Sequence, residues 1–424
     1  MKVKTIKSLC GMLAMLAFTA CSSNIDESTD APRFYNVTLT ASMGDAETRA
    51  LSESGNVITA TFAENDEVKV VKADGSLVGT LRAKTAGANT TLTGTISGTF
   101  NVNEVLTFRY RRATANYDGQ VGTLDGIAAN QDYAEGTLTV TDPNTNPLTF
   151  ESSSVTLSAM QSITKFTFPV KVKTFGIAAV GLVQNIAANG APTIGAVTGT
   201  LAPPYNSVVY VALRNNIKPE QKLAYSFTIQ DENGNWYIFT KQAKLTNGKN
   251  YALNIALTPL PALHSGDAVG SIGVLDGLPA IVLNSTTAVA LMNAGALCPE
   301  HYGTYHPFTN LPSLSNDWYV PTQTELEALA DISSSWGAPY GVNGRTFTVI
   351  EGKTFFLPAA GLDDGDDDPS DYWNVSTFGY YWGSTDSGTN PLPCFSFSSA
   401  NCAMNSAYKT DALTVRPFHT LSAQ

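Results

Sequence analysis

Tyr225-Ser226-Phe227-Thr228-Ile229 and Trp236-Tyr237-Ile238-Phe239-Thr240 flank Asp231-Glu232-Asn233-Gly234-Asn235. The outer runs are rich in aromatic and β-branched residues, which favour a pleated, half-buried surface. Asn-Gly between them supplies the left-handed conformations that a tight hairpin turn demands. The stretch therefore reads as a β-hairpin, and the same grammar extends in both directions. Upstream, Ile163-Thr164-Lys165-Phe166-Thr167-Phe168-Pro169-Val170 opens a β-rich unit and Val208 to Leu213 reads as a buried strand. Downstream, Asn247-Gly248 turns into Tyr251 to Leu257, and Pro259 and Pro261 close the unit.

A second β-rich unit precedes it. Val57 to Phe62, Val68 to Val71, Leu77 to Leu81, Thr90 to Ile96 and Val105 to Tyr110 alternate as strands do, with Asp74-Gly75 as a hairpin turn. A spacing of roughly ten residues with Gly and Asp at the turns points to a β-sandwich. Gly126 to Tyr133 reads as loop or short helix, and the Pro- and Asn-rich stretch Asp142 to Pro147 as a boundary. Val37-Thr38-Leu39-Thr40-Ala41 is an isolated early strand, followed by an exposed loop that carries Arg49.

The chain opens with Lys2, Lys4 and Lys7, an apolar run from Leu9 to Phe18, and Thr19-Ala20-Cys21. This is the pattern of an export signal, and small residues before a cysteine resemble the lipobox of bacterial lipoproteins, which implies acylation at Cys21 and an outer-membrane anchor. Ser22 to Thr29 reads as a polar tether. A charged share of only 14% suits an extracellular strand-and-turn protein, and the net charge of -11 with no polybasic face argues against nucleic acid. Past Cys21 no apolar run reaches the roughly 18 residues needed to span a bilayer.

The last part of the chain differs. Four of the five Trp and all four His lie beyond Leu263. Thr286 to Ala294 lacks strand alternation and ends at Gly295, which suggests a helix. Thr322-Gln323-Thr324-Glu325 is a capping box that opens a second one. Asp363, Asp364, Asp366, Asp367 and Asp368 form an acidic loop, a candidate Ca2+ site since that ion takes several oxygens, with a solvated loop as the alternative. Beside it, Tyr372 and Trp373 are candidates for ligand contact, because aromatic faces stack on sugars, whereas Trp318 and Trp382 read as core. Cys394 and Cys402 are a candidate disulfide in an exported protein, with two free thiols as the alternative. The spacing of His301 and His306 does not place both on one helical face, so no zinc is assigned. No nucleophile triad, phosphate loop or dinucleotide fingerprint occurs, and no catalytic residue is assigned.

Two family resemblances follow from these motifs. Thr48-Arg49-Ala50, Phe62 to Val68, Met160 to Phe166 and Leu245 to Tyr251, in that order behind a lipoprotein leader, resemble the fimbrillins, the pilins of type V pili. The resemblance implies two tandem transthyretin-like β-sandwiches. It also implies cleavage between Arg49 and Ala50, which removes the Val37 to Ala41 strand so that a strand from another pilin subunit can fill the groove. Asp317 to Leu326, Phe356 to Gly361, Tyr381 to Thr385 and Leu413 to Pro417 resemble bacterial surface modules of the C-type-lectin-like fold, which includes the formylglycine-generating-enzyme fold. In the oxidase branch of that fold the cysteine pair lies closer in sequence than Cys394 and Cys402, so no enzyme is expected.

The expected protein is mainly β, with an α+β C-type-lectin-like domain after the two sandwiches. The expected divisions are a signal peptide over 1–20, a tether and removable strand over 21–49, sandwiches over 50–150 and 151–260, and the last domain over 261–424. A shaft pilin accepts and donates a strand, the donor being its C-terminal segment. Here the second sandwich runs into another domain near Leu260, which suits a tip or accessory subunit displaying an adhesin for glycan or protein. A surface lipoprotein that binds such ligands without polymerising is the alternative.

Overall fold

The computed structural model describes residues 33–44, 52–54, 57–59, 61–217, 220–364 and 372–421. Cys21, Arg49, Ala50, Asp366, Asp367 and Asp368 lie outside them. The described chain is mainly β, as its strand-and-turn grammar predicts. Among the described residues no helix is long and apolar enough to cross a membrane.

The first part contains β1 (Arg33–Met43), β2 (Ser52–Ser54), β3 (Val57–Thr59), β4 (Glu67–Val71), β5 (Leu77–Ala83), β6 (Asn89–Gly98), β7 (Val105–Tyr110), β8 (Ala115–Asn116), α1 (Leu124–Asn130), β9 (Ala134–Asp142), β10 (Thr149–Phe150) and β11 (Ser154–Ala159). One sheet runs β10-β9-β11-β1-β6-β5-β4-β7, and a further pairing of β9 with β7 closes it on itself. Alternate side chains therefore point into one core, among them Leu39, Val70, Leu81, Leu92, Phe108 and Leu157. Because β11 pairs with β1 and β9, the first sheet extends to Ala159, past the expected division at 150. The Asp142 to Pro147 stretch is the connection between β9 and β10 inside that sheet, so its Pro and Asn residues mark a turn and not a boundary.

The second part comprises β12 (Ser162–Ala179), β13 (Leu182–Ile186), β14 (Pro192–Ile194), β15 (Val197–Thr200), β16 (Asn206–Asn215), β17 (Leu223–Asp231), β18 (Trp236–Ala243) and β19 (Asn250–Asn254). Long β12 is its spine. Its first half pairs with β16 and β19, and its second half with β15 and β17. Phe166, Phe175, Phe227 and Tyr225 fill the core. Tyr117, Ile127 and Tyr133 join that core, and β8 pairs with β13, so the segment around α1 packs with the second unit although it lies in the first by sequence. The hairpin of Tyr225 to Thr240 forms as expected. Asp231 Oδ1 accepts from the Asn233 and Asn235 amides at 2.9 and 2.8 Å, and Gly234 takes a φ of +86°.

The third part contains β20 (Ile272–Leu275), β21 (Leu278–Asn284), β22 (Thr287–Ala290), β23 (His306–Pro307), β24 (Trp318–Tyr319), α2 (Gln323–Ala330), β25 (Ser334–Gly337), β26 (Gly344–Ile350), β27 (Lys353–Pro358), β28 (Leu362–Asp363), β29 (Tyr372–Trp373), β30 (Gly379–Trp382), β31 (Leu392–Phe397), β32 (Cys402–Ala407), β33 (Ala412–Leu413) and β34 (Phe418–Thr420). A sheet of order β20-β21-β22-β34-β24 brings the start and the end of this part together. The expected helix over Thr286 to Ala294 is instead β22. Ala288, Val289 and Ala290 are buried between β21 and β34, and a strand covered on both faces loses the alternation that would have announced it. Helix α2 starts where the capping box places it. Thr322 N donates to Glu325 Oε2 at 2.7 Å, and Glu325 N donates to Thr322 Oγ1 at 3.3 Å. Its Leu326 and Leu329 pack with Phe347, Phe355 and Phe397.

The third part docks directly on the second. Gly176 of β12 has no side chain, and a Cβ there would lie 2.5 Å from Cys298 Cβ. Trp236 Nε1 donates to Gly277 O at 2.8 Å, and Leu260 N to Trp236 O at 2.8 Å.

Candidate functional site

Strand β1 is the first candidate. Tyr35, Val37, Leu39 and Ala41 point inward and are buried, while Phe34, Asn36, Thr38 and Thr40 face out. Burying each of the three larger inward side chains stabilises the sheet by about 1.5–3 kcal/mol. The strand is longer than the expected Val37 to Ala41. It pairs with β6 from Arg33 to Ser42, but with β11 only from Thr40 to Met43. Over the rest of that second edge a side chain replaces a strand. Asn146 Oδ1 accepts from Asn36 N at 2.9 Å, and Asn146 Nδ2 donates to Phe34 O at 3.3 Å. Sequence reasoning missed Asn146, because an Asn before a Pro announces only a turn. Where β1 ends, a cavity of about 560 Å³ is lined by Met43, Gly44, Ser158, Asn247, Gly248 and Lys249, between the first and second units.

The second candidate lies on the third part. The β28–β29 hairpin pairs Asp363 with Tyr372 and Leu362 with Trp373. Tyr372 and Trp373 are exposed, at 48% and 56%. Tyr372 rests on Tyr305 at a ring distance of 4.9 Å, and the Tyr305 hydroxyl donates to Ala360 O. Gly361 is what lets Trp373 approach, since a Cβ there would lie 2.3 Å from Trp373 O. The Gly361 amide also donates to Phe378 O at 2.8 Å, which brings a further exposed ring, stacked on Tyr380, to the same surface. Exposed rings held this way offer apolar faces with polar tips. Trp318 and Trp382, by contrast, are buried as expected, with Trp382 Nε1 donating to His306 O at 2.8 Å. The arginine of the Val415-Arg416-Pro417 run is buried too, donating to Ala290 O and Phe356 O at 3.0 Å each.

Of the acidic loop, Asp363 and Asp364 are described, and among the described residues neither belongs to a cluster of three metal-ligating side chains. Burial raises the Asp411 pKa above its ordinary value, and the neighbouring Asp364 charge adds to this. The Cys394–Cys402 disulfide does not form, and both thiols are free. Cys394 lies opposite Asn405 and Cys402 opposite Phe397. That offset of three residues along a hairpin amounts to about 10 Å, beyond the reach of a disulfide. Burial pushes the Cys394 thiol up to about 12, consistent with an inert core residue.

Residues 343–418 match a family described as a domain of unknown function (DUF8237). No curated protein matches. Among solved structures, a candidate cell adhesion protein from Bacteroides ovatus aligns at 13% identity with a TM-score of 0.31, over 54% of this chain and 95% of its own. One from Bacteroides uniformis aligns at 13% identity with a TM-score of 0.29, over 53% and 95%. A candidate adhesin from Bacteroides ovatus aligns at 9% identity with a TM-score of 0.29, over 58% and 100%.

His301, set aside as a zinc ligand, has a different place. Its Nε2 lies 3.3 Å from Asp118 Oδ2, while its Nδ1 accepts from Gly303 N at 3.2 Å, which puts the ring proton on Nε2. Burial works against the Asp118 carboxylate, but hydrogen bonds from His301 and Thr198 outweigh it and hold its pKa below the ordinary value. This pair ties the third part to the segment around α1.

Proposed function

We propose that the protein is an exported surface lipoprotein of fimbrillin type that acts in adhesion as a tip or accessory subunit of a pilus. One observation carries the proposal. Strand β1 supplies a complete row of inward side chains to the first sheet while its outward face stays exposed, and the chain continues from it toward Arg49. Cleavage there would free β1, and an incoming strand with the same alternation could take its hydrogen bonds and its side-chain places. The donating end is occupied, since β19 is paired with β12 and the next residues run into the docked third part. A subunit that accepts a strand without giving one ends a fibre. The third part, for which the sequence motifs suggest a C-type-lectin-like fold, would then display Tyr372 and Trp373 to a glycan or protein ligand, with Ca2+ at the acidic loop as an optional partner.

N-terminal mass spectrometry on protein taken from the cell surface tests this. The expected result is a chain starting at Ala50 in high-molecular-weight assemblies. Finding only chains that start at acylated Cys21 would overturn the pilus role and leave a non-polymerising lipoprotein.

A further inference from the structure

Away from both candidate sites, three metal-ligating side chains from distant parts of the sequence meet at one end of the β20-β21-β22-β34-β24 sheet. Asp276 sits in the two-residue turn between β20 and β21, with φ of +42°, followed by Gly277 at +87°. Asp317 precedes β24, and Asn316 Nδ2 reaches Asp276 O at 3.5 Å, which sets this loop against the turn. His419 of β34 lies beneath them, 5% exposed, with its ring packed edge-on against Trp318 at 5.0 Å. One ligand atom from each of Asp276, Asp317 and His419 lies within 4.8 Å of the others.

The chemistry of this set is specific. His419 Nε2 lies 2.8 Å from Asp276 Oδ2, whereas Nδ1 is buried without a hydrogen-bond partner, so Nε2 is the nitrogen that a ligand can reach. Both carboxylates are exposed, and among the described residues neither forms an ion pair with Lys or Arg. The pair of acids thus converges on one imidazole with no protein cation between them. An imidazole nitrogen with two carboxylate oxygens suits a borderline ion of the zinc type better than Ca2+ or Mg2+, which prefer oxygen throughout.

We propose that Asp276, Asp317 and His419 form a three-ligand site for a divalent ion of the zinc type, with its remaining position open to solvent. Tetrahedral zinc with ligand bonds of about 2.1 Å needs ligand atoms about 3.4 Å apart. As the ion enters, it displaces the proton that Nε2 shares with Asp276, leaving the neutral ring protonated on Nδ1; the His419–Asp276 contact opens slightly and exposed Asp317 closes in. The ion ties the β20–β21 turn, the loop before β24 and β34 together. Its open position faces outward, where an oxygen of a second molecule could coordinate. The site is independent of the pilus reading, because none of its residues belongs to β1 or to the aromatic surface.

The test uses the full chain stripped with EDTA and titrated with ZnCl2, by calorimetry and by thermal unfolding. One Zn2+ per chain and a rise in Tm are expected. Asp317→Asn keeps the unfolding temperature of the zinc-free protein, since Asn tolerates the left-handed backbone at this exposed position, but binds zinc at least about 10-fold more weakly. His419→Gln abolishes binding, and Asp317→Asn guards against a loss of fold at the buried histidine. Absence of zinc uptake by the parent chain, or unchanged affinity in Asp317→Asn, would overturn the proposal.

Discussion

Strands β1 and β12 occupy equivalent places in their units. Each opens its unit, runs antiparallel to a central strand, β6 or β16, and runs parallel to its unit's last strand, β11 or β19. Their burial differs. Outward residues of β1 from Arg33 to Thr40 are exposed, whereas β12 ends in an unbroken buried run from Phe175 to Ala179, where it meets β15, β17 and Cys298. A strand held by one face can leave and expose a groove. A strand held by both faces cannot leave without unfolding its unit.

Core truncations in the two strands test that contrast directly. Phe166→Ala in β12 removes a ring packed against Phe227 and should cost about 3–5 kcal/mol. Leu39→Ala in β1 should cost about 2–3 kcal/mol, near the lower end for buried leucines. Hydrogen exchange read strand by strand separates the two. Leu39→Ala should speed exchange in β1 and β11 and leave β12 protected, while Phe166→Ala should lower protection throughout the second unit. Equal loss of protection in β12 from both variants would show that the two strands belong to one cooperative unit and that β1 cannot leave on its own.

The same contrast explains what the sequence disclosed. Val37 to Ala41 alternates because one face of β1 is wet, so it was readable as a strand. The hairpin around Asn233-Gly234 and the capping box at Thr322 were readable because turn and cap chemistry is local. Thr287 to Ala290 was not, since burial on both faces erases the period that marks a strand. Of the candidate sites, the exposure of Tyr372 and Trp373 and the burial of Trp318 and Trp382 followed from their positions beside the acidic loop and within the motifs. The Cys394–Cys402 pairing failed because register is not visible in spacing: eight residues apart, they lie three positions out of register. Asn146 and the Asp276, Asp317, His419 cluster depend on contacts between residues more than 40 apart, and nothing local announces them.

Each strand also has a polar residue fixing its surroundings, and the next effect in size concerns the one beside β12. Asp231, in register with Val172, accepts from the Asn233 and Asn235 amides, from Asn235 Nδ2 and from the Tyr237 hydroxyl. Burial raises its pKa, but these hydrogen bonds outweigh burial and hold it below the ordinary 3.8. A depressed carboxyl pKa stabilises the fold above the unfolded value, and that stabilisation is lost as pH falls through the folded value. Asp231→Ala should cost about 1.5–3 kcal/mol at neutral pH, the range for hydrogen bonds to a charged group. It should also flatten the acid limb of the stability profile below about pH 4, measured by denaturant unfolding at stepped pH. An unchanged acid limb in the variant would show that Asp231 does not carry this dependence.

The mildest of these changes acts on β1 alone. Asn146 bonds the backbone of Phe34 and Asn36 where no strand does, so Asn146→Ala leaves one donor and one acceptor of β1 to water. Both groups sit at an exposed edge, and the expected cost is about 1 kcal/mol. It should appear as faster amide exchange at Asn36, with β12 and the pairing of Thr40 to Met43 unaffected. If the pilus reading holds, the variant should also take up an added peptide spanning residues 33–43 faster than the parent, since loosening one edge of β1 lowers the barrier to its exchange. Faster exchange at Asn36 without faster uptake would place the hold on β1 in its inward side chains and its pairing with β6, and would move the decisive step from the Asn146 clamp to cleavage of the chain.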